Sequence, residues 1–436
     1  MRIALVNVWP DSNKGACALT WASLDLVFKT FPGASVALVP TAVTPPDPAP
    51  FRHTAPRYPS VTILPPLFDG EGKGAPVLLW RLVRKLGAIL RFARERRNEN
   101  PTLEWIRNCD LVVSVGGVNF LTVEATLRED ARLVIRALPL LAARKIDVPT
   151  VLVGAQLGPF ATRFGRWLSR RIAAKAAAVF PRDRTSASQL RGVDAQRRSI
   201  LLPDSALALA VSTAGAGNLW DRRGLDAGAP TLALVISSAL RANERREAHI
   251  ALFAHLAKRL VESGVVRQVV VVLQADEDRA ISRDLVHNLR LDPRFFIDDD
   301  LDPDQLANVY RACRMVISSR LHAVLLSFLA GVPAIALAPE VTFKERAVLE
   351  LLGLESLWIP SITDLDRTVE RCLDIASEEQ SQRRAVASAV SAACAQWDEV
   401  PQTLREIVQE ARRVNERQIH AAAILSSKTA RHGEAD

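Results

Sequence analysis

The sequence predicts an α/β protein made of two Rossmann-like, doubly wound parallel-sheet domains facing a cleft. Three observations predict it. Short apolar runs alternate with helix-length segments from residue 2 to residue 338, the pattern of strands buried on both faces with crossover helices between them. The break "VSTAGAGNLWDRRGLDAGAP" (211–230) divides these runs into two series. A chain of 436 residues is also too long for one ordinary core. Residues 1–210 are therefore assigned to an N-terminal domain, 211–230 to a linker, 231–375 to a C-terminal domain, and 376–436 to helices and a tail.

The first series opens on "RIALVNV" (2–8), a short buried strand, followed by the polar loop "WPDSNKGA" and the apolar helix "CALTWASLDLVFKTF". "ASVALVP" is the second strand. The proline-rich "TAVTPPDPAPFRHTAPRYPS" after it admits no regular structure, since proline supplies no N–H. "CDLVVSVGGVNF" is a strand running into a Gly-Gly turn, and "PTVLVGAQLGPF" a strand ending in a Gly-Pro loop. "AAAVFPRDRTSASQL" supplies a strand, a charged loop and a helix start, and "RRSILLPDSALAL" closes this half. The second series runs "TLALVIS", a helix over 243–263, "QVVVVLQ", a helix over 277–289, "RFFID", a helix over 303–313, "MVISS", a helix over 321–330, and "PAIALA". The segment 364–425 is Ala/Arg/Glu/Gln-rich helix, and "SSKTARHGEAD" a frayed tail.

Composition narrows the partners. Apolar residues make up 49% and charged residues 24%, an ordinary globular balance. The net charge of +8 suits an anionic partner, but only two tyrosines are present and no basic stretch is interleaved with aromatics, which disfavours nucleic acid. Cys17, Cys109, Cys313, Cys372 and Cys394 are scattered singly, so neither a zinc site nor a disulfide framework is indicated. No apolar run approaches the roughly 18 residues of a bilayer span. The start "MRIALVNVWP" reads as a strand and not a signal peptide, and the expected location is the cytoplasm.

Polar clusters fall at the carboxyl ends of the predicted strands, where this architecture builds its sites. They are Asn13 and Gly15; Gly116, Gly117 and Asn119; Gln156 before Gly158; Arg182 and Asp183; Asp204; and Ser318, Ser319, Arg320 and His322. The last cluster lies in "MVISSRLHAVLLSFLAGVPAIALA" (315–338). Residues i and i+2 point apart on a helix, so Arg320 and His322 converge on one ligand only at the turn between strand and helix. Ser318 and Ser319 suit capping of that helix, whose positive end forms an anion site. Arg320 offers a planar fork for carboxylate or phosphate, and His322 either donates to a phosphate oxygen or delivers a proton. The plain alternative is a surface ion pair for Arg320 and a packed His322.

These residues carry a resemblance. The loop Asn13-Lys14-Gly15, "DLVVSVGG" (110–117), "GAQLGPF" (154–160), "RDRTSASQL" (182–190), "LPDSALAL" (202–209) and "ISSRLHAVLLSFLAGVPAIAL" with Lys344 after it are similar, in this order, to the motifs of the polysaccharide pyruvyl transferase family, over roughly residues 1–375. The resemblance implies a GT-B-like pair of domains that transfers pyruvate from phosphoenolpyruvate to sugar hydroxyls as a ketal. It places Arg320 and His322 on the family's phosphoenolpyruvate-binding Arg-x-His and Arg182 on its first-domain arginine, while Asp278 also matches a family position. The implied partners are phosphoenolpyruvate, as donor substrate and not cofactor, and a sugar acceptor of the cell envelope or an exopolysaccharide, free or lipid-linked. No metal is required. Asp183, Asp204 and Asp11 are the candidate bases for the sugar hydroxyl.

Two positions depart from the pattern. Ala16 stands where many members carry an aspartate after Gly15, and Val118 where a third glycine often follows Gly116-Gly117. Both lie on the side expected to hold the acceptor. Two other functional readings remain: a glycosyltransferase using a nucleotide sugar, and a non-catalytic sugar-phosphate-binding or scaffold protein.

Other features have plainer readings. The stretch 77–97 "VLLWRLVRKLGAILRFARERR" has a helical apolar stripe with basic residues around it. Its sharper reading is an interfacial helix on anionic membrane, and its plainer, preferred one a helix on the first sheet with a solvated basic face. "FIDDDLDPD" (296–304) reads as a loop with capping aspartates, Asp276 to Asp278 as a helix start, and His249, His255 and His287 as surface or core filling.

Overall fold

The computed structural model describes residues 1–41, 49–68, 87, 100–192, 198–212, 217–238, 243–338, 344–360 and 365–432. The candidate interfacial stretch 77–97 lies outside these, apart from Gly87.

The first domain is a parallel sheet of β1 (Arg2–Val8), β2 (Ser35–Pro40), β3 (Thr62–Ile63), β4 (Leu111–Ser114), β5 (Gly117–Thr122), β6 (Thr150–Phe160) and β7 (Ala178–Pro181), in the order β3-β2-β1-β4-β6-β5 with β7 also on β6. β4 pairs with Thr150 to Leu152 of β6, and β5 continues along the same edge opposite Ala155 to Phe160, while β7 takes the other edge. The Gly-Gly segment is thus a jog between two strands rather than a turn away from the sheet. β6 also runs through Gly158-Pro159 to Phe160, where a loop was expected.

The second domain has β8 (Thr231–Val235), β9 (Gln268–Val272), β10 (Phe296–Ile297), β11 (Met315–Ser318), β12 (Ala334–Ala338) and β13 (Trp358–Pro360), in the order β10-β9-β8-β11-β12-β13, every pair parallel. In both sheets the order reverses beside the first strand, between β1 and β4 and between β8 and β11. The crevices at those reversals are where ligands settle in such folds.

The strands are apolar throughout because both sheet faces are covered. Ile3 and Leu5 of β1 enter one core cluster, whereas Ala4 and Val6 enter another, and Leu111 and Val113 part from Val112 in the same way. Each fully buried aliphatic side chain contributes roughly 1.5–3 kcal/mol. The cluster holding Ile3 continues into the second domain, so the cores of the two sheets are joined.

Several local outcomes differ from the sequence expectation. The first helix begins at Lys14, not Cys17, because the Asn13 side chain accepts the N–H groups of Gly15 and Ala16. The proline-rich connection contains a turn of helix, Thr54–Arg57, whose leading donors are held by the Asp11 carboxylate. The segment expected as a linker includes the helix Gly217–Arg223, anchored by the buried Leu219 and Trp220 and by Arg223 bonding the Phe296 carbonyl and Asp299. β3 and β13 are too short to read as periodic runs.

The C-terminal helices return to the first domain. Glu379–Trp397 is tied to the second domain by Arg383 on the Gly331 carbonyl, yet its Trp397 Nε1 donates to the Pro203 carbonyl at 3.1 Å. Val400–His432 follows, with Arg412 at 2.9 Å from Asp110. Among the described residues no helix is long and apolar enough to cross a membrane.

Candidate functional site

The loop after β1 joins the domains. Asn13 forms a bridge with Ala275, the Lys14 N–H donates to the Gln274 carbonyl at 3.1 Å, and the Asp276 N–H donates to the Ser12 carbonyl at 3.0 Å. Lys14, only 3% exposed, reaches Asp300 at 2.7 Å, and Arg52 bonds both Asp300 and Asp276. Asp300, expected only to help cap a helix, is therefore a contact between domains. Burial alone would raise its pKa, but Arg52, Lys14 and His53 hold its carboxyl well below the usual carboxylate range. The capping itself falls to Asp302, in a capping box with Gln305.

Behind this joint the crevice of the first sheet contains a buried charged chain. Arg182, 1% exposed at the end of β7, donates to Asp204 at 2.7 Å and to Gln156 at 2.5 Å. Asp204 is fully buried. Burial works against its charge, yet Arg182, His322 and the Ala206 N–H together keep its carboxyl below the ordinary range. His322, from the second domain, crosses the cleft to place Nε2 3.8 Å from Asp204 Oδ1. Its backbone position follows from β11, which ends at Ser318 and passes through the extended Arg320 into the helix Leu321–Leu329. Burial pushes the His322 pKa down to about 4, with Arg182, Lys344 and Arg320 acting in the same direction against Asp204.

Three polar atoms here are buried without a hydrogen-bond partner among the described residues: Arg182 Nε, Ser205 Oγ and His322 Nε2. Orphaned buried polar groups cost about 1–3 kcal/mol each, and their grouping around Asp204 makes this crevice the candidate ligand site.

Gly15 and Gly116 are required by close approach. A Cβ on Gly15 would stand 2.5 Å from three atoms of His322, and one on Gly116 would stand 3.0 Å from the Gly154 carbonyl oxygen. Gly15→Ala is expected to displace His322, destabilising the joined state by about 1–3 kcal/mol. Chemical unfolding of Gly15→Ala, His322→Ala and the double variant measures this. The double variant should be less unstable than the two single effects combined, because the shared clash is gone.

The remaining candidates divide into separate groups. Arg320 and His322 do not converge: an extended residue followed by helix sends them apart. Arg320 turns to its own domain, gripping Asp278 with Nε at 2.8 Å and Nη2 at 2.6 Å, and Glu277 at 2.5 Å. Burial opposes its charge, and these carboxylates overcome it, raising its pKa. Ser318 and Ser319 do not cap the helix. The cap position is Arg320, which makes no side-chain capping bond. Ser318 Oγ accepts the Arg320 N–H, while Ser319 Oγ accepts the Ser237 N–H and lies 3.1 Å from His249 Nε2. The N–H groups of Leu321 and His322 consequently have no partner among the described residues. Lys344 begins the helix Lys344–Leu351, 3.2 Å from Glu345 and close enough to act on His322.

Asn119 is engaged by the Trp9 indole and the Val115 carbonyl, Gly117 packs on Leu19 at φ +115°, and Asp183 caps a helical turn through Ser186. Asp11 is occupied by His53, Thr54 and the Thr54 hydroxyl. Of the three candidate bases, only Asp204 lies where His322, Arg182 and the orphaned polar atoms meet. Sequence reasoning passed over Asn7, which is buried in the left-handed region at φ 61° and bonds Ser114 at a bulge of β1. A polar residue inside an otherwise apolar strand was the available signal.

A sequence model of the polysaccharide pyruvyl transferase family matches residues 13–340. No curated protein matches the chain significantly. Among solved structures, the UDP-GlcNAc 2-epimerase of Neisseria meningitidis bound to UDP-GlcNAc is 10% identical, with TM-score 0.58, over 93% of this chain and 100% of that one. Anabaena HepE in complex with UDP and glucose is 15% identical, with TM-score 0.54, over 94% and 100%. Arabidopsis thaliana UGT89C1 complexed with quercetin is 13% identical, with TM-score 0.55, over 94% and 99%. At such identities the likeness speaks for the fold, which is the two-domain GT-B arrangement. With its motifs matched over most of its length, the chain belongs to the polysaccharide pyruvyl transferase family.

Proposed function

We propose that the protein transfers pyruvate from phosphoenolpyruvate to a pair of sugar hydroxyls as a ketal, in the synthesis of an exopolysaccharide or cell-envelope glycan. The observation that carries this reading is the meeting of His322 with Asp204 and Arg182 across the cleft, among orphaned polar atoms. The donor's carboxylate and phosphate need several cations and N–H donors. The unpartnered N–H groups at the start of Leu321–Leu329, with Lys344 and Arg320 Nη1, the guanidinium nitrogen not bonded to Asp278 or Glu277, are suited to them. Arg182, enclosed by Asp204 and Gln156, acts through them as a positioning residue.

The chemistry balances without a cofactor. An imidazolium at His322 gives its proton to the methylene carbon of the donor, leaving a cationic centre at the phosphate-bearing carbon. A sugar hydroxyl adds there and loses its proton to a base, for which Asp204, 3.8 Å from His322 Nε2, is the candidate carboxylate. Phosphate then leaves with its bonding electrons, and the second hydroxyl adds to the resulting oxocarbenium carbon and gives its proton to the departing phosphate, which closes the ketal.

With a pKa of about 4 the free His322 is neutral near neutral pH, whereas a bound polyanion favours the imidazolium. Binding of phosphoenolpyruvate is therefore expected to take up a proton. Calorimetric titration in buffers of different ionisation enthalpy reads this directly, and His322→Gln removes the buffer dependence. Arg320→Ala and Lys344→Ala are each expected to weaken binding about tenfold or more. Binding of a nucleotide sugar in place of phosphoenolpyruvate would replace this reading with a glycosyltransferase.

A further inference from the structure

One face of the first domain carries aromatic side chains that the fold leaves uncovered. The helix Arg163–Lys175, "RFGRWLSRRIAAK", turns Leu168, Ile172 and Ala173 inward, whereas Phe164 is 42% and Trp167 55% exposed. The two rings lie 5.8 Å apart, and the Arg171 guanidinium covers Trp167 at 6.0 Å. Beside them is a mainly apolar hollow of about 280 Å3, whose walls include Leu140, Leu141, Arg144 and Lys175. The helix start packs on the end of β5, since a Cβ on Gly165 would stand 2.8 Å from Thr122. Just beyond Thr122 the chain exposes Val123 (54%) and Leu127 (81%), so the apolar surface extends past the helix itself.

The charge of this face is one-sided. The helix carries Arg163, Arg166, Arg170, Arg171 and Lys175 and no acidic residue. Arg170 is occupied by the Gln189 and Arg191 carbonyls. Arg144, Arg163, Arg166, Arg171 and Lys175 form no ion pair among the described residues. The neighbouring acids Glu129 and Asp130 are tied to Arg132 and to the Thr162 hydroxyl, while Glu124 adds one negative charge to the loop. A merely solvated basic face has no need of exposed aromatics, and an apolar protein contact has no need of five uncompensated cations. Both together match an anionic bilayer surface, where aromatic rings sit at headgroup depth and basic side chains meet phosphates.

We propose that this face docks the protein on an anionic phospholipid bilayer, with Phe164 and Trp167 entering the interface and the five unpaired cations meeting headgroup phosphates. The helix starts beyond the carboxyl end of β6 and runs back to the hollow beside Thr150 at its start, so the bilayer would lie along this helix-covered flank of the first sheet. The proposal stands apart from the donor chemistry and from the stretch 77–97.

Sedimentation of the full chain with vesicles tests it, comparing phosphatidylcholine alone with an equal mixture of phosphatidylcholine and phosphatidylglycerol. Binding is expected to the mixture only, and to weaken as salt is raised. Phe164→Ala with Trp167→Ala should lower the partition coefficient about tenfold or more. Arg171→Ala with Lys175→Ala should lower it roughly twentyfold, with circular dichroism unchanged in each variant. Trp167→Phe should keep binding but lose the blue shift of tryptophan emission on adding vesicles. Absence of wild-type binding overturns the proposal. So does wild-type binding by both double variants, which would place the contact elsewhere. A dimer that dissociates on Phe164→Ala with Trp167→Ala would assign the face to a second copy of the chain.

Discussion

Replacing His322 with glutamine is expected to lower turnover about 10²–10⁴-fold with the fold retained, the usual contribution of a positioned proton donor. Glutamine keeps a polar side chain of similar reach but cannot carry a proton at working pH. The site favours this interpretation because His322 is delivered from one domain to the buried Asp204 of the other, at 3.8 Å. A substrate polyanion would raise its pKa from about 4, so the imidazolium forms where it is used. Exchange of the vinyl hydrogens of phosphoenolpyruvate with deuterated solvent isolates the protonation step, and phosphate release with a glycan acceptor measures the whole. A His322→Gln variant with unchanged turnover and a raised KM would make His322 a phosphate contact instead. Normal turnover and KM in that variant would remove the histidine from the mechanism.

Arg182→Leu is expected to destabilise the protein by about 3–5 kcal/mol, because it leaves Asp204 charged, fully buried and without its main partner. Gln156 would lose its donor as well. The double variant Arg182→Leu with Asp204→Leu should regain most of that stability, since removing both charges also removes the cost of burying them. Neither variant is expected to turn over substrate. Denaturant unfolding of the wild type, the single variants and the double variant gives the coupling energy between the two residues. Equal losses in Arg182→Leu and the double variant would mean that packing around the arginine stem, and not the ion pair, holds this crevice.

The arrangement of elements was largely legible because it depends on local patterning. Apolar runs such as Ile3 to Val6 and Val269 to Val272 can only be strands covered on both faces, and their alternation with helices imposes parallel order. Polar residues at the strand ends therefore marked the crevices, and Gly15, Arg182, Asp204 and His322 all fall there. Two-residue strands such as β3 left no periodic trace, and the short helix Thr54–Arg57 depends on Asp11, more than forty positions away.

The sequence by itself determined the two sheets, the ends of their strands and the residues available at those ends. Tertiary structure alone decided which of these residues face one another. Arg320 turned to Asp278 and away from His322, Asp204 met both Arg182 and His322, and Lys14 paired with Asp300, 286 positions along the chain. It also returned the C-terminal helices to the first domain through Trp397. The physical reason is range. Strand and helix preferences are set by neighbours within a few residues. Charge pairing, desolvation and the close fit of Gly15 against His322 exist only once two separately patterned domains are pressed together.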